Sequence, residues 1–308
     1  MDPNLLYWKS QGQSFLSRLQ IWINLLDPLS LISSDDEIQK AHSLLGSGQP
    51  LNEKDGQALT LSLSSVHADS GAVLPLVFRS AALLPISTPL VVASFLPHRS
   101  VKPALFWQFL LQSYSAGFNY ANRNSSPEQS KKTSLKQLLL MAGTVSYAAC
   151  AGALPQIFIS RLGVRSAAIQ TFFRSILPIP LSVSQLYRSE ESETGIQVFD
   201  SNGNPVGLSK AAGDKAVRET ALSRAVLFGT TAALPNLLVL LLQRTRLFQR
   251  NSLLAAPVRH MSVALVLGLM IPVSFSLFPQ LGTIKKENVE ERLWAAADGG
   301  RFYYHRGL

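Results

Sequence analysis

The side chains best suited to chemistry in this 308-residue sequence are few and dispersed. His67 and Asp69 stand two apart in Val66-His67-Ala68-Asp69-Ser70-Gly71. In a strand they share a face; in a loop they can pair, the carboxylate then favouring the charged imidazole. One reading is a coupling or gating pair at a membrane. The other is a turn, with Asp69 and Ser70 capping a segment that Gly71 ends. Asn119, Asn122, Arg123 and Asn124 form a second group, in which Asn119 and Arg123 are i, i+4 and share a helix face. Amides can bond both ends of a zwitterion, and an arginine can grip a carboxylate. The same residues equally suit interfacial anchoring and helix capping. Arg174 interrupts an otherwise uncharged run four residues before Pro178. A cation within a membrane is costly and therefore a functional candidate, although nearby Arg165 favours a side chain that snorkels to the interface.

Other chemistries lack their residues. A single cysteine, Cys150, excludes a disulfide framework, a cysteine zinc site and a self-contained iron–sulfur cluster. With Ala148, Ala149, Ala151 and Gly152 around it, Cys150 reads as a helix-packing residue. The five histidines show no metal-ligand spacing and there is no nucleophile elbow, so no enzyme, metal or cofactor site is expected. Gly195–Ser209 contains no phosphate-loop lysine. Its strand-like Ile196, Val198 and Phe199 followed by Asn202-Gly203 predict a small β-hairpin.

These residues are carried by a hydrophobic chain. Charged residues make up 15%, against about 25% in an ordinary globular domain, and the mean hydropathy is +0.17. The pattern predicts an α-helical integral membrane protein. Uncharged stretches run over 80–97, 103–122, 138–160, 225–243 and 261–283, and 166–187 is broken only by Arg174. A bilayer core needs about 20 apolar residues. Five transmembrane helices are expected, near 104–121, 138–160, 167–187, 225–243 and 261–281. Pro85, Pro89 and Pro97 bend the 80–97 stretch, which reads as interfacial or re-entrant. Pro155, Pro178, Pro180, Pro235, Pro272 and Pro279 fall in the last four spans, as broken transporter helices or as bends in a packed bundle.

The flanks are soluble or interfacial. Residues 1–79 form an N-terminal segment, 80–283 the membrane domain, with the hairpin in a long loop between helices, and 284–308 a C-terminal tail. Phe15, Leu19, Trp22, Ile23 and Leu26 recur at helical spacing before Asp27-Pro28, predicting a helix that packs on the domain or the membrane surface. The basic excess, net +9, sits between apolar runs, as membrane-flanking charge does, so no nucleic acid is expected as a partner. No cleavable secretory signal or Arg-rich transit peptide is visible in the first residues.

Several segments in order resemble the sideroflexins, multi-span proteins of the mitochondrial inner membrane. They include Leu26-Asp27-Pro28, Val66–Gly71, Phe78-Arg79, Phe106-Trp107-Gln108, Asn119–Asn124, Leu177-Pro178, Asp200–Gly207, Ser223-Arg224, Phe278–Gly282 and Phe302–Leu308. The family's His-Pro-Asp-Thr-Gly signature, usually followed by Glu, is here His67-Ala68-Asp69-Ser70-Gly71-Ala72. The resemblance implies residence among mitochondrial inner-membrane lipids. The altered signature and the ending Tyr303-Tyr304-His305-Arg306-Gly307 resemble a divergent branch associated with respiratory complex I assembly and with iron–sulfur or iron homeostasis. Complex I assembly factors are the partners it implies. The alternative it implies is import of serine or another small neutral amino acid. In that case His67, Asp69, Asn119, Asn122, Arg123, Arg174 and Pro178 are the candidates for the substrate pathway.

Overall fold

The computed structural model describes residues 3–12, 14–46, 55–67, 70–95, 98, 100–123, 135–163, 166, 169, 194–251, 254–296 and 300–307. Four helices come first: α1 (Pro3–Gln11), α2 (Phe15–Leu25), α3 (Asp35–Gly46) and α4 (Asp55–Ser65). The apolar bundle contains α5 (Leu83–Phe95), α6 (Val101–Ala121), α7 (Leu135–Arg161), α8 (Lys210–Leu242) and α10 (Ala255–Ser276), with the short α9 (Arg246–Arg250) between the last two. Four strands complete the fold: β1 (Ile196–Phe199), β2 (Pro205–Ser209), β3 (Leu281–Lys285) and β4 (Arg301–His305).

Among the described residues, three helices are long and apolar enough to cross a bilayer: Met141–Ile159 within α7, α8 and α10. The expected count of five is not confirmed among the described residues. The span expected at 167–187 falls almost wholly outside the described residues, and Arg174 and Pro178 lie there. Over 104–121, α6 has the length, at 21 residues, but Gln108, Gln112, Ser113, Ser115 and Asn119 dilute its apolar character. The 13-residue α5 is about 20 Å long, short of the roughly 30 Å of a bilayer core. Pro89, Pro155, Pro235 and Pro272 all sit inside continuous helices, which favours bends over breaks at those positions.

α2 starts with a capping box. Ser14 Oγ accepts from Ser17 N, and Ser17 Oγ accepts from Ser14 N. Its buried stripe differs from the one the apolar spacing predicts. Arg18, Ile21, Trp22 and Leu25 face inward, while Phe15 and Ile23 are exposed. The reason is polar. Arg18 Nε donates to Ser276 O, a carbonyl at the C-terminal end of α10 that has no helical partner of its own. Arg306 Nη2 donates to the neighbouring carbonyl of Phe275 at 3.1 Å. Cations suit a helix C-terminus, so chain start and chain end are both fastened to α10. Trp8, Trp22 and Phe275 pack with tilted rings beside this junction, with centroids 5.7 and 4.8 Å apart.

The hairpin forms as the sequence predicts, β1 pairing antiparallel with β2 around Gly203, whose φ of 85° suits a glycine. It is not isolated. The tail supplies β3 and β4, giving a four-stranded sheet in the order β2-β1-β4-β3. Val198, Phe302 and Tyr304 form its core together with Ala212 and Ala216 of α8. Ser209 ends β2 and caps α8, its hydroxyl accepting from Ala212 N at 3.2 Å, so the sheet leads directly into the longest membrane helix.

Candidate functional site: a cavity among five helices

A cavity of about 260 Å³ opens between α5, α6, α7, α8 and α10. Each helix offers it one face at helical spacing: Leu83, Ser87 and Val91 from α5, Met141 and Thr144 from α7, Leu267 and Ile271 from α10. From α6 come Leu111, Gln112, Ser115, Phe118 and Asn119, and from α8 Arg224, Leu227 and Phe228. The helices approach closely because small residues line their contacts. A Cβ on Gly152 of α7 would collide with the Gln108 amide of α6.

Arg224 is the cavity's only cation among the described residues. It is 8% exposed, and its guanidinium lies 4.7 Å from the centroid of Phe275. Its Nη2 donates to Asn119 Oδ1 at 3.4 Å, a long bond. No described carboxylate lies within ion-pair reach of Arg224. Arg224 stands at the edge of the apolar run, yet it is buried rather than turned to solvent, and a buried cation calls for a compensating partner or a role. Ser87, 7% exposed on the same cavity, has a hydroxyl with no hydrogen-bond partner among the described residues.

Of the described residues singled out from sequence as candidates, Asn119 alone lines this cavity. Asn122, Arg123 and His67 meet beside it, at the C-terminal end of α6, where they serve the backbone. Asn122 Nδ2 donates to Phe118 O at 2.9 Å and to Phe78 O at 3.1 Å. Arg123 packs over the Tyr120 ring at 4.2 Å. His67 Nε2 lies 2.8 Å from Arg123 O, and its Nδ1 accepts from Ser70 N at 3.3 Å, an arrangement that places the ring hydrogen on Nε2. Around it Gly71 N donates to His67 O, His67 N to Ala72 O, and Val66 bridges Val73, with Gly71 at φ 65°. The described ends of the altered signature, His67 and residues 70–72, are therefore bonded to each other and clasped to α6. Asp69, like Arg174 and Pro178, is outside the described residues.

One further departure concerns Cys150. Cys150 is exposed on α7 and does not pack, because Ala148, Ala149, Ala151 and Ala153 take the buried positions. No group of three metal-ligating side chains occurs among the described residues. Arg224 was visible in the sequence as part of the Ser223-Arg224 segment and as the last charge before the 225–243 run, not as a site residue, and Ser87 carried no signal beyond its place in an apolar stretch. Below the cavity, Arg306 is 3% exposed, with Nη2 donating to Phe275 O and, at 3.4 Å, to Gln280 Oε1. Burial pushes its pKa down to about 10 despite opposing attraction from Glu219 and Tyr304, and it stays charged at neutral pH.

The comparisons with known proteins agree with the resemblance read from the motifs. A family model described as Sideroflexins matches residues 4–308. The chain is 52% identical to Sideroflexin-4 of Danio rerio over 317 residues, covering all of both chains. It is 35% identical to Sideroflexin-4 of Homo sapiens, covering all of this chain and 93% of that protein. It is 31% identical to Sideroflexin-5 of Homo sapiens, over 97% of this chain and 91% of that one. No solved structure matches. With the family model spanning nearly every residue and full-length relatives at 31–52% identity, this chain belongs to the sideroflexin family.

Proposed function

We propose that this chain is a multi-pass protein of the mitochondrial inner membrane that supports assembly of respiratory complex I, as a sideroflexin-4-type protein. The observation that carries the reading is the full-length 52% identity to Sideroflexin-4, set against 31% to Sideroflexin-5. The geometry of the altered signature supports it. His67, Asn122 and Arg123 hold the turn and the end of α6 together, and none of them lines the cavity. The role is non-enzymatic, acting through assembly factors. Any effect on iron–sulfur or iron homeostasis is indirect, because the chain supplies one thiol, on α7, and a cluster needs about four ligands.

A second reading, transport of serine or another small neutral amino acid, is favoured by the cavity itself, whose polar end holds Arg224 and Asn119. One experiment separates the two. Cells lacking the endogenous protein are complemented with this chain. Complex I is followed on native gels, and labelled serine uptake is followed in mitochondria. We expect the chain to stay in the mitochondrial pellet through alkaline carbonate, to restore complex I and to leave serine uptake unchanged. Restored serine uptake without restored complex I would reverse the ranking.

A further inference from the structure

We propose that the cavity between the five helices binds a short monocarboxylate anion in preference to the zwitterionic amino acid of the same carbon skeleton. This goes beyond the assembly role and concerns the cavity of the second reading. Arg224 carries it: the guanidinium is nine-tenths buried on the cavity wall and meets only Asn119, at 3.4 Å, and the face of Phe275. A carboxylate would complete that cation with charge-assisted hydrogen bonds. Ser87 gives a second, independent sign, a buried cavity hydroxyl left without a partner.

The preference follows from a missing charge. A zwitterion brings an ammonium that must also leave water, and a buried ammonium is best held by a carboxylate. The sequence has no Asp or Glu in 70–127, 129–189 or 220–286, the intervals that hold every apolar stretch. The nearest acid along α8, Glu219, is turned to the sheet, where Tyr304 Oη donates to it at 3.3 Å. The rest of the wall is apolar, with Leu111, Leu227, Phe228 and Ile271 ready to meet a hydrocarbon tail. One cation and this lining select a single negative charge on a small apolar body. The cavity volume, about 260 Å³, sits just below the usual range for ligand pockets and limits the solute to a few carbons.

The test uses the purified full-length chain in lipid nanodiscs, with thermal unfolding read by tryptophan fluorescence. The probes are butyrate, 2-aminobutyrate and butyramide, at ionic strength matched with sodium chloride. We expect butyrate to raise the transition at concentrations about tenfold lower than 2-aminobutyrate, and butyramide to leave it unmoved. Arg224→Gln should abolish the butyrate response. Ser87→Ala, a small change that keeps the helix and the cation, should weaken it by about threefold. An equal response to butyrate and 2-aminobutyrate would overturn the preference while leaving the transport reading standing. A folded protein that responds to neither would overturn both, and leave the complex I experiment to stand by itself. A butyrate response retained in both Arg224→Gln and Ser87→Ala would place the anion elsewhere and overturn the assignment.

Discussion

The sheet and the cavity differ in how firmly their polar side chains are held. In the sheet region, Lys215 Nζ donates to Thr283 O, Glu290 Oε1 accepts from Lys210 N at the start of α8, and Asp200 accepts from Asn204 N at 2.7 Å. The cavity, a short distance along α8, leaves Arg224 with one long bond and Ser87 with none. Glu290 Oε2 and Arg306 Nε and Nη1 in the sheet region are also short of partners, but each of those side chains is anchored through its other atoms. A region that keeps a buried cation and hydroxyl short of partners is built for something that arrives. Two buried arginines make the same contrast. Arg79 donates to Leu74 O and Ser33 O and pairs with Asp35 at 2.5 Å, whereas Arg224 has no described ion pair.

The strongest way to break the comparison is to remove the sheet's core. Phe302 is fully buried beside Val198 and Tyr304. Phe302→Ala should lower unfolding stability by about 4 kcal/mol, from lost burial and the cavity left behind. Thermal or denaturant melts in lipid or detergent measure it, and a loss below about 1 kcal/mol would show that the sheet is an appendage.

The next test sets the arginines side by side. Arg79→Met should cost about 3 kcal/mol, because it leaves Leu74 O and Ser33 O unbonded and Asp35 unpaired. Arg224→Met, at the cavity, should change stability by less than about 1 kcal/mol or raise it, since the cation it removes lacks a compensating partner. Equal losses in the two variants would erase the distinction between structural and ligand-ready cations.

The smallest effect is acid sensitivity of the sheet. Backbone and side-chain donation from Asn204, with further N–H groups of the turn, holds the Asp200 carboxyl below its ordinary range. Burial alone would raise Glu290, but hydrogen bonds from Ser209 and the first amides of α8 outweigh it and leave a net depression. Groups with depressed folded values stabilise above their unfolded values, about 4 for Asp and Glu, and lose that contribution as pH falls through the folded values. Limited pepsin digestion between about pH 5 and pH 2 should open the 200–204 turn only at the acid end. Asp200→Asn should remove that pH dependence, and cleavage that is uniform across the range would argue against it.

The sequence was sufficient for everything that depends on local pattern. Long uncharged runs announced membrane helices, and Asn202-Gly203 between alternating apolar residues announced the hairpin. The ordered motifs announced the family, because each is read from neighbours in the chain. The partners of those elements were another matter. β4 pairs with a hairpin strand about a hundred residues away and β3 adds beyond it, and a strand's ladder is written in no local periodicity. The apolar stripe of α2 pointed to Phe15 and Ile23, and the carbonyl of Ser276 turned Arg18 inward instead. His67 and Arg123 read equally as a substrate pair or as anchors, and only packing brought the ring onto a backbone carbonyl. Arg224 looked like one more charge at the edge of a span. It takes its meaning from five helices that exclude water around it, and burial of that kind is a property of the assembled bundle and of no segment alone.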